Sequence, residues 1–125
     1  MCAPAPFQEA VAVGIETLMP EFYTDLAKEY KLKRDKFCAA LASAGLKSWV
    51  PQGSYYVLAD ASRLPGITGK DKAMELLHCT GVAAVLGESF YRENSQEVDK
   101  ILRFCYAKKQ EILDKACNRL GRLTV

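Results

Sequence analysis

The segment 101–106 alternates apolar residues with others, as is typical of a β-strand with two different faces. One predicted face packs in a core and consists of Leu102, Phe104 and Tyr106. The other face places Arg103 between Ile101 and Cys105, with no acidic residue on the same side of the strand. The pattern therefore predicts a charged group on a partly apolar strand face.

Apolar residues recur at helical spacing in four other segments of the chain. The predicted helices cover residues 7–18, 20–44, 69–80 and 109–119. The second of these helices would be roughly 37 Å long. A helix of that length commonly braces one unit against another, although one end can also be solvated. Arg34 stands in its apolar stripe, where an apolar residue is expected.

Two runs rich in aromatic and β-branched residues, 46–50 and 54–59, flank residues 51–53 and predict a hairpin. Tyr55 and Tyr56 would point to opposite faces of the second strand. One of them should therefore lie in the core, while the other is available to a neighbour or a pocket.

The apolar run 82–85 predicts a short strand that is buried on both faces. A loop over residues 86–94 follows it and carries Phe90 and Tyr91. Aromatic residues on such a loop either line a site or close the edge of a core, and the sequence leaves both alternatives open.

The predicted elements follow the order helix, helix, strand, strand, helix, strand, strand, helix. This order predicts an α+β fold in which a small, mainly antiparallel sheet has helices packed on one face. The length of 125 residues fits one domain, so residues 1–125 are expected to form a single domain. No predicted helix remains to cover the sheet face that carries Arg103.

Charge and composition give no indication of nucleic-acid or membrane binding. Lys and Arg total 17 against 15 Asp and Glu, and the net charge of +2 comes without a basic cluster. No apolar run approaches the roughly 18 residues of a membrane span. Residues 1–6 contain two prolines and lack a signal-peptide pattern, and we expect them to form a loop within a longer chain.

The cysteines and the lone histidine predict no metal site. The five cysteines are widely spaced and form no C-x-x-C pair: Cys2, Cys38, Cys79, Cys105 and Cys117. An odd number of thiols without a disulfide pattern favours a reducing compartment, so the cytoplasm is expected, with the mitochondrion as the alternative. His78 lies in a helical pattern and has no partner with ligand spacing.

Arg103 is the residue whose chemistry points to a ligand. Its guanidinium keeps its charge at any ordinary pH, and its planar fork of donors fits a carboxylate through two hydrogen bonds. In partly apolar surroundings an unpaired guanidinium is costly, which favours a bound anion. Two alternatives stay open, because Arg103 could also lie on a hydrated face or pair with a distant Glu.

Four short motifs occur in an order and spacing that resemble a known protein family. They are VPQGSYY at residues 50–56, GVAAV at 81–85, SFY at 89–91 and RFCYAK at 103–108. Together they resemble the C-terminal small domain of fold-type I pyridoxal-phosphate aminotransferases. The similarity is greatest to the group of kynurenine aminotransferases, glutamine transaminases and cysteine-conjugate β-lyases.

The resemblance implies a role for several residues. Arg103 falls on the arginine that binds the α-carboxylate of the substrate. Tyr55 and Tyr56 fall on the small-domain hairpin, Phe90 and Tyr91 fall on a loop near the substrate entrance, and all four are candidates to line the site. The intact enzyme would be a homodimer that moves an amino group between an amino acid and a 2-oxo acid. The amino acid would be kynurenine-like or glutamine-like, and aromatic and sulfur-containing side chains are included.

Two positions depart from the family pattern. Leu86 stands where such sequences usually have proline, which could loosen the following loop, and Lys109 stands where an acidic residue is common. Residues 1–19 would form the helix that links this part to a large domain.

The resemblance also implies what these residues lack. Pyridoxal phosphate and its Schiff-base lysine belong to the large domain, so no catalytic, cofactor-binding or metal-binding residue is assigned here. Lys47, Lys70 and Lys72 lie at predicted surface positions, and the 125-residue chain alone is expected to be inactive. The alternative is a stand-alone α+β module that binds a carboxylate or a protein. A cysteine enzyme is a weaker alternative, since Cys105 has no adjacent histidine.

Overall fold

The computed structural model describes residues 3–91 and 97–123. Its α-helices are α1 (Ala5–Thr17), α2 (Pro20–Ser43), α3 (Gly69–Thr80) and α4 (Gln110–Leu120). Its strands are β1 (Lys47–Trp49), β2 (Tyr56–Asp60), β3 (Val85–Leu86) and β4 (Ile101–Cys105). Two short 3₁₀ helices, Gly87–Phe90 and Val98–Lys100, lie between β3 and β4.

The four strands form one antiparallel sheet in the order β1-β2-β4-β3. The connection between β1 and β2 covers residues 50–55, because both strands are shorter than the sequence predicts. The predicted order of helices and strands is confirmed, and so is the α+β class with a small antiparallel sheet.

One face of the sheet carries the core. Every second residue of β2 and β4 is buried on this face, and Leu102, Phe104 and Tyr106 are at most 2% exposed, as predicted. Helices α2, α3 and α4 supply the opposing side chains, namely Phe37, Cys38, Leu41, Leu76, Leu113 and Leu120. The prediction of helices on one side of the sheet is therefore confirmed.

The opposite face of the sheet, which we call the free face, carries the alternate residues. One row across the four strands is fixed by the strand register and consists of Trp49, Leu58, Arg103 and Val85. None of these four side chains is buried. Arg103 lies on β4, an inner strand of the sheet, with β2 on one side and β3 on the other.

The prediction of a buried strand at residues 82–85 is wrong. Strand β3 has only two residues, pairs with β4 alone, and leaves Val85 42% exposed. A run of four apolar residues does not distinguish a central strand from an edge strand, because both depend on neighbours distant in sequence.

Helix α1 and the first half of α2 lie outside the core. Helix α1 has no buried residue, and the buried residues of α2 begin at Phe37. Exposed apolar side chains on this part of the chain include Phe7, Val11, Val13, Ile15, Leu18, Met19, Phe22 and Leu32. Many exposed apolar side chains on one helical segment are typical of an interface. A helix of 13 residues is also marginally stable when isolated in water.

Among the described residues, no helix is both long enough and apolar enough to cross a membrane.

Candidate functional site

Arg103 lies in the middle of β4, between strands β2 and β3. Arg103 lies opposite Leu58 of β2 and Val85 of β3, and its side chain is half-buried on the free face. The alternation of β4 produces this placement, because the residues on either side, Leu102 and Phe104, are drawn into the core. The predicted direction of the Arg103 side chain is confirmed.

Two aromatic rings flank the guanidinium. The Cζ atom of Arg103 lies 4.4 Å from the ring centroid of Phe90 and 5.1 Å from that of Tyr56. Tyr56 belongs to β2, while Phe90 follows β3, so the rings approach from opposite sides of β4. Both distances are within the range of cation–π attraction, and they bring three predicted site residues together.

The guanidinium has no acidic partner among residues 3–91 and 97–123. Its Nε atom is buried and makes no hydrogen bond. A distant Glu therefore does not neutralise Arg103 within this part of the chain. Because Nε is shielded, the two Nη nitrogens form the accessible end of the fork, and a carboxylate would approach along the long axis of the side chain.

Gly87 determines where Phe90 lies. A Cβ atom on Gly87 would lie 2.7 Å from the Ile101 carbonyl oxygen and 3.0 Å from that of Val98. Only glycine allows the 3₁₀ helix Gly87–Phe90 to approach the start of β4 so closely. Leu86, where the family resemblance leads us to expect proline, has a φ of −64°, so it adopts the conformation that proline would impose.

Within the part of the chain that the structure describes, Tyr55 makes no ring contact with Arg103, although its ring lies edge-on to that of Tyr56 with the two centroids 5.5 Å apart. Its side chain is 52% exposed and lines a cavity of about 490 Å³ against α2, whereas Tyr56 is half-buried beside Arg103. The prediction that one of the two tyrosines lies in the core is wrong, because Tyr55 precedes β2 and the buried positions begin at Val57. Tyr106 supplies the buried aromatic side chain instead.

Tyr91 is exposed, and no ring contact links it to Arg103 in the described part of the chain. Residues 92–94 of the predicted loop lie outside the described residues. Of the four aromatic residues predicted to line a site, Tyr56 and Phe90 therefore contact Arg103.

Arg34 is a positioning residue that the sequence analysis did not identify. Its Nη1 atom donates a hydrogen bond of 2.9 Å to the Pro51 carbonyl oxygen, and its Nε and Nη2 atoms donate to Asp35. This contact ties α2 to the loop that precedes β2. The sequence did show Arg34 as a charged residue within the apolar stripe of α2. It could not show the hydrogen-bond acceptor of Arg34, because this acceptor is a main-chain carbonyl oxygen.

Lys72 has a structural role rather than the surface position that the sequence predicts. Lys72 is buried, contrary to its predicted surface position, and its Nζ atom donates to the carbonyl oxygens of Leu64 and Gly66 at 2.8 and 2.9 Å. These bonds use the amine to close the loop before α3. Because the amine is buried against these carbonyl groups, it is not accessible for covalent attachment of a cofactor.

Three of the cysteine thiols have a raised pKa. Burial raises the pKa of the Cys38 and Cys117 thiols, which keeps them protonated. The hydrogen bond to Glu75 likewise raises the pKa of Cys79. No cluster of possible metal ligands occurs within residues 3–91 and 97–123. The site therefore consists of one cation between two aromatic rings.

Comparison with known proteins identifies the family. The sequence matches aminotransferase class I and II over residues 1–120. The chain belongs to this aminotransferase family. It is 32% identical to a kynurenine–oxoglutarate transaminase of Dictyostelium discoideum, over 96% of this chain and 32% of that protein. It is also 33% identical to human kynurenine–oxoglutarate transaminase 3, over 92% of this chain and 29% of that protein.

Solved aminotransferase structures have the same fold as this chain. N-succinyldiaminopimelate aminotransferase of Mycobacterium tuberculosis superposes with a TM-score of 0.81 at 28% identity, over 98% of this chain and 31% of that one. The methionine aminotransferase YbdL of Escherichia coli superposes with a TM-score of 0.80 at 31% identity, over 94% of this chain and 30% of that one. The chain thus spans about a third of the length of these aminotransferases.

Proposed function

We propose that this chain acts as the C-terminal small domain of a pyridoxal-phosphate-dependent transaminase, in which Arg103 binds the α-carboxylate of the substrate. The observation that carries the proposal is the Arg103 guanidinium, which is half-buried, flanked by two rings and without an acidic partner in the described residues. Such a group needs an anion. The core side chains of α2, α3 and α4 pack on the opposite face of the sheet.

The contribution of this chain to the reaction would be positional. A carboxylate held by both Nη nitrogens of Arg103 has its direction fixed, so the Cα–H bond of the amino acid points the same way in each encounter. Pyridoxal phosphate supplies an electron sink when it is bound, and it would be held by residues outside this chain. The chain would therefore bind and orient substrate but would not transaminate alone.

The names of the relatives support the choice of substrates. The Dictyostelium and human proteins are kynurenine–oxoglutarate transaminases, so we extend the proposal to a kynurenine-like or glutamine-like amino acid and a 2-oxo acid. The proposal also includes a large domain packed on α1, a homodimer, and a cytoplasmic or mitochondrial location. The exposed apolar side chains of α1 support the packing of a large domain there.

A fused enzyme tests the proposal. This chain is joined to the N-terminal two-thirds of the Dictyostelium relative, and kcat/KM is measured for kynurenine and glutamine with 2-oxoglutarate. Arg103→Ala should lower kcat/KM by about 2–5 kcal/mol in transition-state binding, roughly 30- to 5,000-fold. Arg103→Lys keeps the charge but loses the fork, so it should recover only part of the loss. If Arg103→Ala has the same kcat/KM as the fused enzyme with Arg103, the proposal is overturned.

The isolated 125-residue chain gives a second test, which does not depend on the fusion. Mixed with pyridoxal phosphate, it should form no stoichiometric lysine adduct by absorbance or by mass after borohydride reduction. A stoichiometric adduct would contradict the dependence on residues outside this chain. Tight, saturable binding of an amino acid to a monodisperse chain would favour the stand-alone binding module.

A further inference from the structure

We propose that Phe90 is a positioning residue for Arg103, and that the close approach of Gly87 to β4 delivers it. The ring of Phe90 would hold the guanidinium in the plane in which its two Nη nitrogens meet a carboxylate. This inference rests on the proposed function for its consequence in substrate binding. The orientation of Arg103 itself can be tested without any substrate.

The orientation of the guanidinium is not set by hydrogen bonds in the described part of the chain. Its Nε atom has no partner, and no ion pair of Arg103 occurs within residues 3–91 and 97–123. An arginine side chain has several rotatable bonds and loses considerable entropy when it is held in one geometry. The two rings, with centroids 4.4 and 5.1 Å from Cζ, are therefore the groups that fix the plane.

An aromatic orienting group has an advantage over an acidic one at this position. A carboxylate would fix the guanidinium by occupying its donors and neutralising its charge. Rings attract the cation through its face and leave the N–H groups at its edge unoccupied. Arg103 thus keeps both its charge and its accessible Nη donors for a ligand, while Phe90, the nearer ring, limits its motion.

The contact between Phe90 and Arg103 should depend on the absence of a side chain at Gly87, three residues before Phe90. A Cβ atom there would meet the Ile101 carbonyl oxygen at 2.7 Å and the Ile101 Cβ at 2.8 Å, which is closer than real contacts allow. Any side chain at position 87 would push the 3₁₀ helix away from β4. The ring of Phe90, three residues further on, would move away from Arg103 with it.

The chain offers matched variants for a test. Phe90→Leu removes the ring and keeps an apolar side chain, while Phe90→Tyr keeps the ring. Phe22→Leu removes an exposed ring of α2 that has no contact with Arg103. Gly87→Ala adds the excluded methyl group, and Gly53→Ala is its control, because a Cβ on Gly53 meets nothing within 4 Å.

The first measurement is NMR of the isolated chain, with the Arg103 side-chain signals assigned by their loss in Arg103→Lys. Phe90→Leu and Gly87→Ala should move these signals toward the shifts of a free arginine, because the ring-current effect of Phe90 is lost. Phe90→Tyr, Phe22→Leu and Gly53→Ala should leave them in place. Unchanged Arg103 signals in a folded Phe90→Leu chain overturn the inference.

The second measurement uses the fused enzyme described above. Phe90→Leu should raise the KM for the amino acid by roughly 3- to 30-fold, in line with cation–π attraction, with kcat changed less than about twofold. Phe90→Tyr keeps the ring, so its KM should equal that of the fused enzyme with Phe90. If Arg103→Ala leaves kcat/KM unchanged while the NMR shifts behave as expected, the proposed function fails and the orientation of Arg103 by Phe90 stands. A KM unaffected by Phe90→Leu removes Phe90 from substrate positioning.

Discussion

The Tyr106 hydroxyl donates a hydrogen bond of 2.9 Å to the main-chain carbonyl oxygen of Ser54. The Tyr106 amide also donates to the Tyr55 carbonyl oxygen at 3.0 Å. Ser54 has a positive φ of 76°, which is uncommon for a residue with a side chain. The two bonds thus hold an unusual turn against the end of β4, so that the strand with Arg103 and the strand with Tyr56 keep one register.

Tyr106→Phe should lower the free energy of unfolding by about 0.5–1.5 kcal/mol near pH 7, because the Ser54 carbonyl loses its protein donor. Burial raises the pKa of Tyr106 above its ordinary value near 10. The phenol therefore stabilises the fold fully below pH 10, and this contribution is lost as the pH rises through the folded pKa. Urea titrations of both proteins at pH 7 and pH 11 measure the difference.

The difference in unfolding free energy between wild type and Tyr106→Phe should narrow at the higher pH. Tyr91→Phe is the control, since the Tyr91 side chain is exposed, and its effect should be small at both values. A constant difference between wild type and Tyr106→Phe across this range would contradict the role given to burial.

Lys72→Met should destabilise the chain by about 1–3 kcal/mol, since it leaves the carbonyl oxygens of Leu64 and Gly66 without their donor. Lys70→Met, at an exposed position of the same helix, should change the unfolding free energy by less than about 0.5 kcal/mol. Urea midpoints of the two variants compare the sites directly. Equal midpoints would rule out the loop-closing role of Lys72.

Deleting residues 1–17 should change the unfolding free energy of the remaining chain by less than about 0.5 kcal/mol, because α1 contributes no buried residue. The same deletion should reduce self-association, since it removes exposed apolar side chains such as Phe7 and Ile15. Urea unfolding and sedimentation velocity test the two expectations. A large loss of stability would mean that α1 packs on the core in solution.

Arg34→Met should loosen the loop before β2 and cost about 1–3 kcal/mol, because a charged donor to the Pro51 carbonyl oxygen is lost while the apolar stem is kept. Lys31→Met, which removes an exposed ion pair of the same helix, is the matched control and should cost less than about 1 kcal/mol. Amide hydrogen exchange at residues 52–55 reports the loop, and equal exchange in both variants would exclude the proposed tie.

The sequence predicted those parts of the fold that depend on local periodicity. The alternation of residues around Arg103 correctly predicted the sheet face on which its side chain lies. Because Leu102 and Phe104 are buried on one face, the side chain between them must lie on the other. The helical spacing of apolar residues over 20–44 likewise predicted α2, whose buried residues are Phe37, Cys38 and Leu41.

The features that the sequence did not predict depend on contacts between distant segments. The burial of Lys72 is compensated by hydrogen bonds from its amine to two main-chain carbonyl oxygens, and a residue pattern does not show which carbonyl groups are available. The ring of Phe90 reaches Arg103 because Gly87 approaches β4, a proximity that spacing does not reveal. Val85 is exposed because it lies on the free face, on a strand at the sheet edge, and only the strand order and register reveal this position.

The row of the free face that contains Arg103 also contains Trp49, two strands away and half exposed. Neighbouring strands are separated by about 4.8 Å, so the two backbones are roughly 10 Å apart. Trp49 is the single tryptophan of the sequence. Its intrinsic fluorescence therefore reports on this face alone, and whatever covers the face can be followed by emission wavelength and quenching in the unlabelled protein.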